Sequence, residues 1–169
     1  MFEVFLLLCL LLILICIVYT SVKIGIAPMP SSFKSAHKMN EISLSVGKNS
    51  VLDLGSGFGF LALYFAWKNP QVKIIGYETS FFPWVFSLSL KYLFRCENLT
   101  FYRKDYLYID IPVDCLIICF LFPKGMTLLE DKLKNSSNRV ISNTFSFTNK
   151  KPLDIYTIND LYKTKIYLY

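Results

Sequence analysis

The sequence predicts an α/β fold: a mostly parallel sheet with helices on both faces and an antiparallel strand near the C-terminal end, preceded by one transmembrane helix. Three observations predict it. From residue 51 onward, short apolar runs of strand character alternate with helical patterns, the order that demands parallel strands joined by crossover helices. A glycine cluster, Gly55-Ser56-Gly57-Phe58-Gly59, follows the first of those runs at once. The chain is 54% hydrophobic and only 18% charged, and its excess is concentrated near the start, where Val4 to Val22 is 19 residues without a charge. A soluble domain carries about 25% charged residues. Once that stretch is set aside, the rest of the 169 residues is ordinary in composition and long enough for one domain. A disordered chain, a disulfide-stapled miniprotein and a multi-pass channel are excluded.

The elements follow in order. A helix of 19 residues rises about 28 Å, close to the roughly 30 Å of a hydrocarbon core. The flank Met1-Phe2-Glu3 has an acid where a cleaved signal peptide has a basic region, and Ile24-Gly25-Ile26-Ala27-Pro28 offers no clear cleavage site, so the segment reads as an uncleaved span. Lys23, Lys34, Lys38 and Lys48 follow it. The positive-inside rule then places the domain in the cytoplasm, or on the matrix side in a mitochondrion. The expected division is an anchor at 1–22, a linker or arm at 23–46 with a short helix over Ser35 to Val46, and a domain at 47–169. The turn Gly47-Lys48-Asn49-Ser50 opens the domain. Val51 to Leu54 is the first strand. Phe60 to Lys68 has Leu61, Tyr64 and Phe65 at helical spacing and is stopped by Asn69-Pro70. Val72 to Tyr77 is the second strand, ending in Glu78.

Pro83 to Phe94 is an apolar helix with proline in its first turn. For its aromatic stretch, Phe81-Phe82-Pro83-Trp84-Val85-Phe86, packing against the sheet is preferred to a wall facing an acceptor or a membrane. Leu99 to Arg103 is the third strand, just before Asp105. Cys115 to Phe120 is a fully buried fourth strand, far too short to be a second span. Met126 to Leu133 is a helix, Arg139 to Phe147 a fifth strand, and Asp154 to Tyr169 holds one or two more. Cys9 and Cys16 lie in the span. Cys96, Cys115 and Cys119 form no CxxC pair and read as reduced, buried thiols, so no metal site is expected. The lone His37 reads as a surface residue. The net charge of +6 comes from basic residues spread along the chain, which suits a solvated face beside anionic headgroups better than a nucleic-acid stripe.

The glycine loop carries the chemistry. A loop between strand and helix lets backbone approach a ligand closely. Its spacing is G-x-G-x-G, with no Lys-Ser/Thr behind it, so it is neither a P-loop nor the usual dinucleotide pattern. Asp53 lies two residues ahead of Gly55; an acid there repels a pyrophosphate and suits an ammonium or a sulfonium. Glu78 comes 19 residues after Gly59, at the strand end where a carboxylate accepts the hydroxyls of a ribose. Asp105, beyond the third strand, is placed to accept from an adenine amino group. Amino acid, ribose and adenine without phosphate describe S-adenosyl-L-methionine, with Asp53, Gly55, Ser56, Gly57, Gly59, Glu78 and Asp105 as the cofactor-binding residues.

Val51-Leu52-Asp53-Leu54-Gly55-Ser56-Gly57-Phe58-Gly59, Gly76-Tyr77-Glu78 and Phe101-Tyr102-Arg103-Lys104-Asp105 together resemble the class I S-adenosylmethionine-dependent methyltransferases. The resemblance implies their Rossmann-like sheet. With the N-terminal span and Pro28-Met29-Pro30, the chain is similar to the small membrane-anchored lysine methyltransferases of mitochondria, which act on the ATP synthase c subunit and the adenine nucleotide translocase. Bacterial relatives of that family share the Val140-Ile141-Ser142-Asn143-Thr144-Phe145 strand and the ending from Leu161 to Tyr169. Where the mitochondrial enzymes have an acid and then Gly-Arg in the loop, this chain has Phe58-Gly59-Phe60, so the resemblance carries the cofactor further than the substrate. It implies a protein lysine as acceptor, with nucleic acid less favoured. Acceptor contacts are expected after the fourth strand, at Phe122 and Pro123. No titratable residue lies in Phe120-Leu121-Phe122-Pro123, and no catalytic base is assigned. An RNA methyltransferase and a non-catalytic membrane scaffold remain the alternatives.

Overall fold

The computed structural model describes residues 31–169. The expected anchor at 4–22 and the Pro28-Met29-Pro30 arm lie outside the described residues; among those described, no helix is long and apolar enough to cross a membrane. The elements are α1 (Phe33–Val46), β1 (Ser50–Leu54), α2 (Phe60–Lys68), β2 (Lys73–Tyr77), α3 (Phe81–Leu93), β3 (Leu99–Tyr102), a 3-10 turn (Tyr106–Tyr108), β4 (Leu116–Cys119), α4 (Pro123–Lys132), β5 (Arg139–Asn143), β6 (Asp154–Thr157) and β7 (Lys165–Leu168). They form one seven-stranded sheet in the order β3-β2-β1-β4-β5-β7-β6. The first five strands pair in parallel, and β7 lies antiparallel between β5 and β6.

The alternation of side chains along each strand divides the core in two. Val51, Leu116, Ile118 and Ile141 face α1 and α2, meeting Met39, Ile42, Phe65 and Ala66. Leu52, Leu54, Ile117 and Val140 face the other way, onto Met126 and Leu129 of α4 and onto Phe147 and Tyr169. Tyr169 is buried, pairs its backbone with Val140 and accepts the Phe147 N–H on its hydroxyl at 2.8 Å.

Three expectations change. The helix foreseen in the arm is longer than Ser35 to Val46, with Ser32 capping it through a hydrogen bond from the Ser35 N–H. It packs Ala36, Met39 and Ile42 into the core, so this part of the arm is integral to the packed unit. The fifth strand stops at Asn143 rather than Phe147, because Thr144 takes φ +69 and the Phe145 N–H turns back to the Asn143 carbonyl at 2.8 Å. In α3 the aromatic stretch does not pack on the sheet as expected: only Ser87 is fully buried, Trp84 and Leu88 rest on the core, and Phe81, Phe82, Val85 and Phe86 are exposed. Residues advance about 100° each around a helix, so a continuous apolar run cannot lie on one face.

Candidate functional site

The strand order reverses between β1 and β4, and at such a switch point the loops beyond the carboxyl ends diverge to leave a crevice. The glycine loop fills the first of these positions. Gly55, Gly57 and Gly59 all have positive φ, +75, +53 and +81, a region that side chains with a Cβ adopt at a cost. The N–H groups of Gly55 and Ser56 both donate to the Tyr77 carbonyl, at 3.0 and 2.9 Å, which ties the loop to the end of β2. A Cβ on Gly55 would stand 2.7 Å from Leu121, and one on Gly59 2.7 Å from Phe101 and Ser87; at Gly57 it would meet open space. The loop is thus packed tightly at both ends and open in its middle.

Two neighbouring carboxylates, Asp53 and Glu78, belong to this site, Glu78 bonded to the Gly57 N–H at the loop's middle. Asp53, on β1, is 2% exposed, and its Oδ2 has no hydrogen-bond partner. Desolvation pushes its carboxyl up to about 7; the Ala62 N–H opposes the rise and the neighbouring Glu78 adds to it. Ser56 Oγ is also buried without a partner, in a slot that Gly76 leaves free. Glu78 accepts the Gly57 N–H at 2.9 Å on Oε2 and the Ser80 N–H at 2.7 Å on Oε1. The Thr79 hydroxyl also donates to Oε1, at 3.4 Å; a carboxylate has about four acceptor positions, so Oε2 keeps room for a ligand. Orphaned buried oxygens are few in native proteins, and two of them beside an open glycine loop fit a ligand that brings an ammonium and hydroxyl donors. S-adenosylmethionine is such a ligand.

Asp105 lies apart from this cluster. Its Oδ1 accepts the Leu107 N–H at 2.9 Å and so starts the 3-10 turn. It also lines a groove of about 650 Å³ with Ile75, Tyr77, Tyr102 and Lys104. The rings of Tyr77 and Tyr102 stack there at 5.7 Å, a flat aromatic surface the sequence reading did not single out, although both tyrosines end strands beside predicted site residues. Phe122 is half-buried at the start of α4 and Pro123 is its exposed first residue. Beside them Phe120 stacks on Phe145 at 6.2 Å, and the Tyr106 hydroxyl reaches the Gly125 carbonyl at 3.4 Å, so the surroundings of Phe122 are largely apolar. Burial raises the Tyr106 hydroxyl to about 12, the nearby Cys119 and Asp105 contributing in that order.

No protein-family model matches the chain, and no curated protein sequence does. Solved structures do match its fold. An RNA methyltransferase from Salinibacter ruber in complex with S-adenosyl-L-homocysteine aligns with a TM-score of 0.71 at 19% identity, over 83% of this chain and 92% of the other. A point mutant of MtNAS in complex with S-adenosylmethionine aligns at 0.63 and 8% identity, over 79% of this chain and 60% of that one. The plantazolicin methyltransferase BpumL, with SAH and a monoazolic desmethylPZN analog, aligns at 0.52 and 20% identity over 66% and 46%. This chain spans less than two thirds of the length of the latter two. The shared feature is the Rossmann-like sheet, mostly parallel with antiparallel C-terminal strands.

Proposed function

We propose that this chain is an S-adenosylmethionine-dependent methyltransferase, held at a membrane by residues 1–22 with its domain on the cytoplasmic or matrix side, that methylates a lysine of a membrane or membrane-proximal protein. The observation that carries the activity is the pair of orphaned buried oxygens, Asp53 Oδ2 and Ser56 Oγ, beside a glycine loop whose middle is open. In this reading Asp53 faces the ligand's ammonium, Glu78 takes the ribose hydroxyls, and Asp105 with the Tyr77–Tyr102 stack borders the adenine. S-adenosylmethionine supplies an electrophilic methyl carbon on a sulfonium. The chain's part is to line up the acceptor amine and keep water away, with Phe120, Phe122 and Phe145 as the apolar wall. A lysine must lose its proton to accept, which costs about 4.6 kcal/mol at pH 7 from a pKa near 10.4. An apolar wall lowers that cost by disfavouring the ammonium, and this suits a stretch, 120–123, that holds no titratable group.

The lysine assignment draws on the motifs shared with the anchored lysine methyltransferases and on the uncharged run at 4–22. A second reading has its own support: the Salinibacter ruber protein, aligned over most of both chains, is an RNA methyltransferase, and the net charge here is +6. One experiment separates them. Membranes bearing the full-length chain receive S-adenosylmethionine with a labelled methyl group, and the product is treated with ribonuclease or protease. Label that survives ribonuclease and is recovered as methyllysine supports the proposal. Label removed completely by ribonuclease replaces it with the RNA reading. Absence of transfer together with absence of cofactor binding by calorimetry leaves a scaffold.

A further inference from the structure

We infer that the carboxyl edge of the sheet, the edge that holds the glycine loop, docks on the surface of an anionic lipid bilayer through a rim of exposed aromatic side chains. The inference rests on the membrane anchorage proposed above and adds the orientation of the domain. In the loop and the first turn of α2, Phe58 and Phe60 meet Phe86 of α3, ring to ring at 5.4 and 6.1 Å. Phe60 is 45% exposed and Phe86 43%. Phe81 and Phe82, at the start of α3, continue the rim at 5.6 Å from each other and are about half exposed. The β6–β7 turn reaches the same edge, because β6 runs alongside β5 through the antiparallel β7. That turn carries Leu161 and Tyr162, 97% and 88% exposed. Large apolar side chains gathered at one edge mark an interaction surface rather than a solvated one.

The chain itself says what lies opposite. Ser31 stands at this edge, where its Oγ accepts from Asn143 Nδ2 at 3.1 Å at the end of β5. From there α1 runs away to the start of β1, so the chain that joins the domain to the uncharged run at 4–22 enters here. Only residues 23–30 lie between, a reach of about 28 Å when fully extended. Another exposed apolar group, Trp67, Tyr92, Leu93 and Phe94 at the ends of α2 and α3, lies at the opposite edge. That edge is a further length of α1 away, 14 residues or about 21 Å. The rim's chemistry suits an interface: phenylalanine and leucine bury at the boundary of headgroups and acyl chains, tyrosine favours headgroup depth, and Arg103 lies over the Phe81 ring at 5.6 Å and Lys104 over Tyr102 at 5.9 Å. Lys34 and Lys163 add positive charge near the β6–β7 turn, Lys34 by its contact with the Asn159 carbonyl at 3.1 Å. Anionic lipid attracts such side chains, and a short tether raises the local concentration of the edge at the surface. The glycine loop and the wall at Phe122 then open toward the headgroup layer, and an acceptor has to present its target there.

Tryptophan fluorescence of the full-length chain tests this in vesicles of phosphatidylcholine and phosphatidylglycerol with bromine on the upper acyl chain. One variant, Phe82→Trp with Trp67→Phe, puts its reporters at the carboxyl edge. The other, Trp84→Phe, leaves Trp67 at the opposite edge as the reporter. Flotation and circular dichroism establish that each variant is folded and on the vesicles. Bromine is expected to extinguish most of the fluorescence gained at residue 82 and to leave Trp67 bright. Chains that float with residue 82 unquenched, or with Trp67 quenched equally, overturn the docked edge while leaving the anchor. An emission at residue 82 that is already blue-shifted without lipid and unquenched with it also overturns the inference, because the rim is then covered by residues 4–22 or by a second copy. Chains that do not float remove the anchorage and the docking together, whereas methyl transfer and cofactor binding are read separately.

Discussion

Burial holds the Asp53 carboxyl at about 7, well above the 3.8 of a free aspartate, because no partner offsets the loss of water around Oδ2. The linkage has a definite sign. Between pH 3.8 and about 7 the folded chain keeps a proton at Asp53 that the unfolded chain has released, so stability falls as pH rises through that window. Urea unfolding of the ligand-free protein at pH 5 and pH 7.5 is expected to show that fall at this site, and Asp53→Asn to flatten it; an equal slope in the variant would assign the effect elsewhere. A cationic ligand reverses the preference by favouring the charged carboxylate. Glu78 acts differently, since its oxygens already hold two N–H groups of the site. Glu78→Ala is expected to remove a charge-assisted contact worth about 1.5–3 kcal/mol, roughly a ten- to 150-fold loss of S-adenosylmethionine affinity by calorimetry. Glu78→Gln keeps one acceptor oxygen, enough for the Gly57 N–H but not for the Ser80 N–H as well, so thermal unfolding of both variants is read beside the affinity to separate lost ligand contact from a loosened loop, and unchanged affinity in a folded Glu78→Ala would refute the assignment.

Among the elements, α1 shows how a segment with the look of a connector becomes core. Its Met39 is fully buried among residues of the sheet and α2, while Leu44 on the same helix is 62% exposed. Polar ties complete the seam: Asn69 of the α2 end donates to Asn40 at 2.6 Å and to the Phe65 carbonyl at 2.8 Å. Met39→Ala is expected to cost about 2–5 kcal/mol in chemical unfolding. Leu44→Ala should stay within about 0.5 kcal/mol. Similar costs for the two would mean that α1 is not the packed element described. In the connection from β3 to β4, a 3-10 turn stands where a covering helix would pack on β2 and β3. Lys132 of α4 holds it by donating to the carbonyls of Leu107 and Ile109 at 3.0 and 2.7 Å. The absence of a helix there leaves the 650 Å³ groove along Tyr77 and Tyr102 open.

For the whole molecule, the lysines after residue 22 set the expected side of the membrane. Protease added to intact cells or spheroplasts is expected to spare the domain and to digest it only after permeabilisation; digestion without permeabilisation would reverse the topology. The sheet order gives this orientation a functional meaning. Asp53 stands near the carboxyl end of β1, and the loops that carry Gly57, Glu78 and Phe122 leave from the same edge, the edge at which Ser31 enters. In the proposed anchored arrangement the domain therefore need not reach far for a substrate embedded beside it.

The alternation of strands and helices, the parallel sheet with its antiparallel end, and the register of Asp53, the glycines and Glu78 were all legible in the residues. Those are local matters: apolar period, turn chemistry and the separation between two strand ends are set by neighbours along the chain. That Asp53 Oδ2 and Ser56 Oγ lack partners emerged only on folding, since it depends on every group within reach of them. So did the packing of α1 against β4 and β5 across about a hundred residues of sequence, and the capping of a turn by Asp105. The side of α3 that meets the sheet belongs with these. Eight residues of the stretch Phe81 to Leu88 include seven that are apolar or proline, so hydropathy offers no way to choose a face; the positions of β3 and α2 leave room for Trp84 and Leu88 and turn the remaining aromatics outward. Burial is a property of the packed assembly of elements, and periodicity reports it only when polar residues mark the other side.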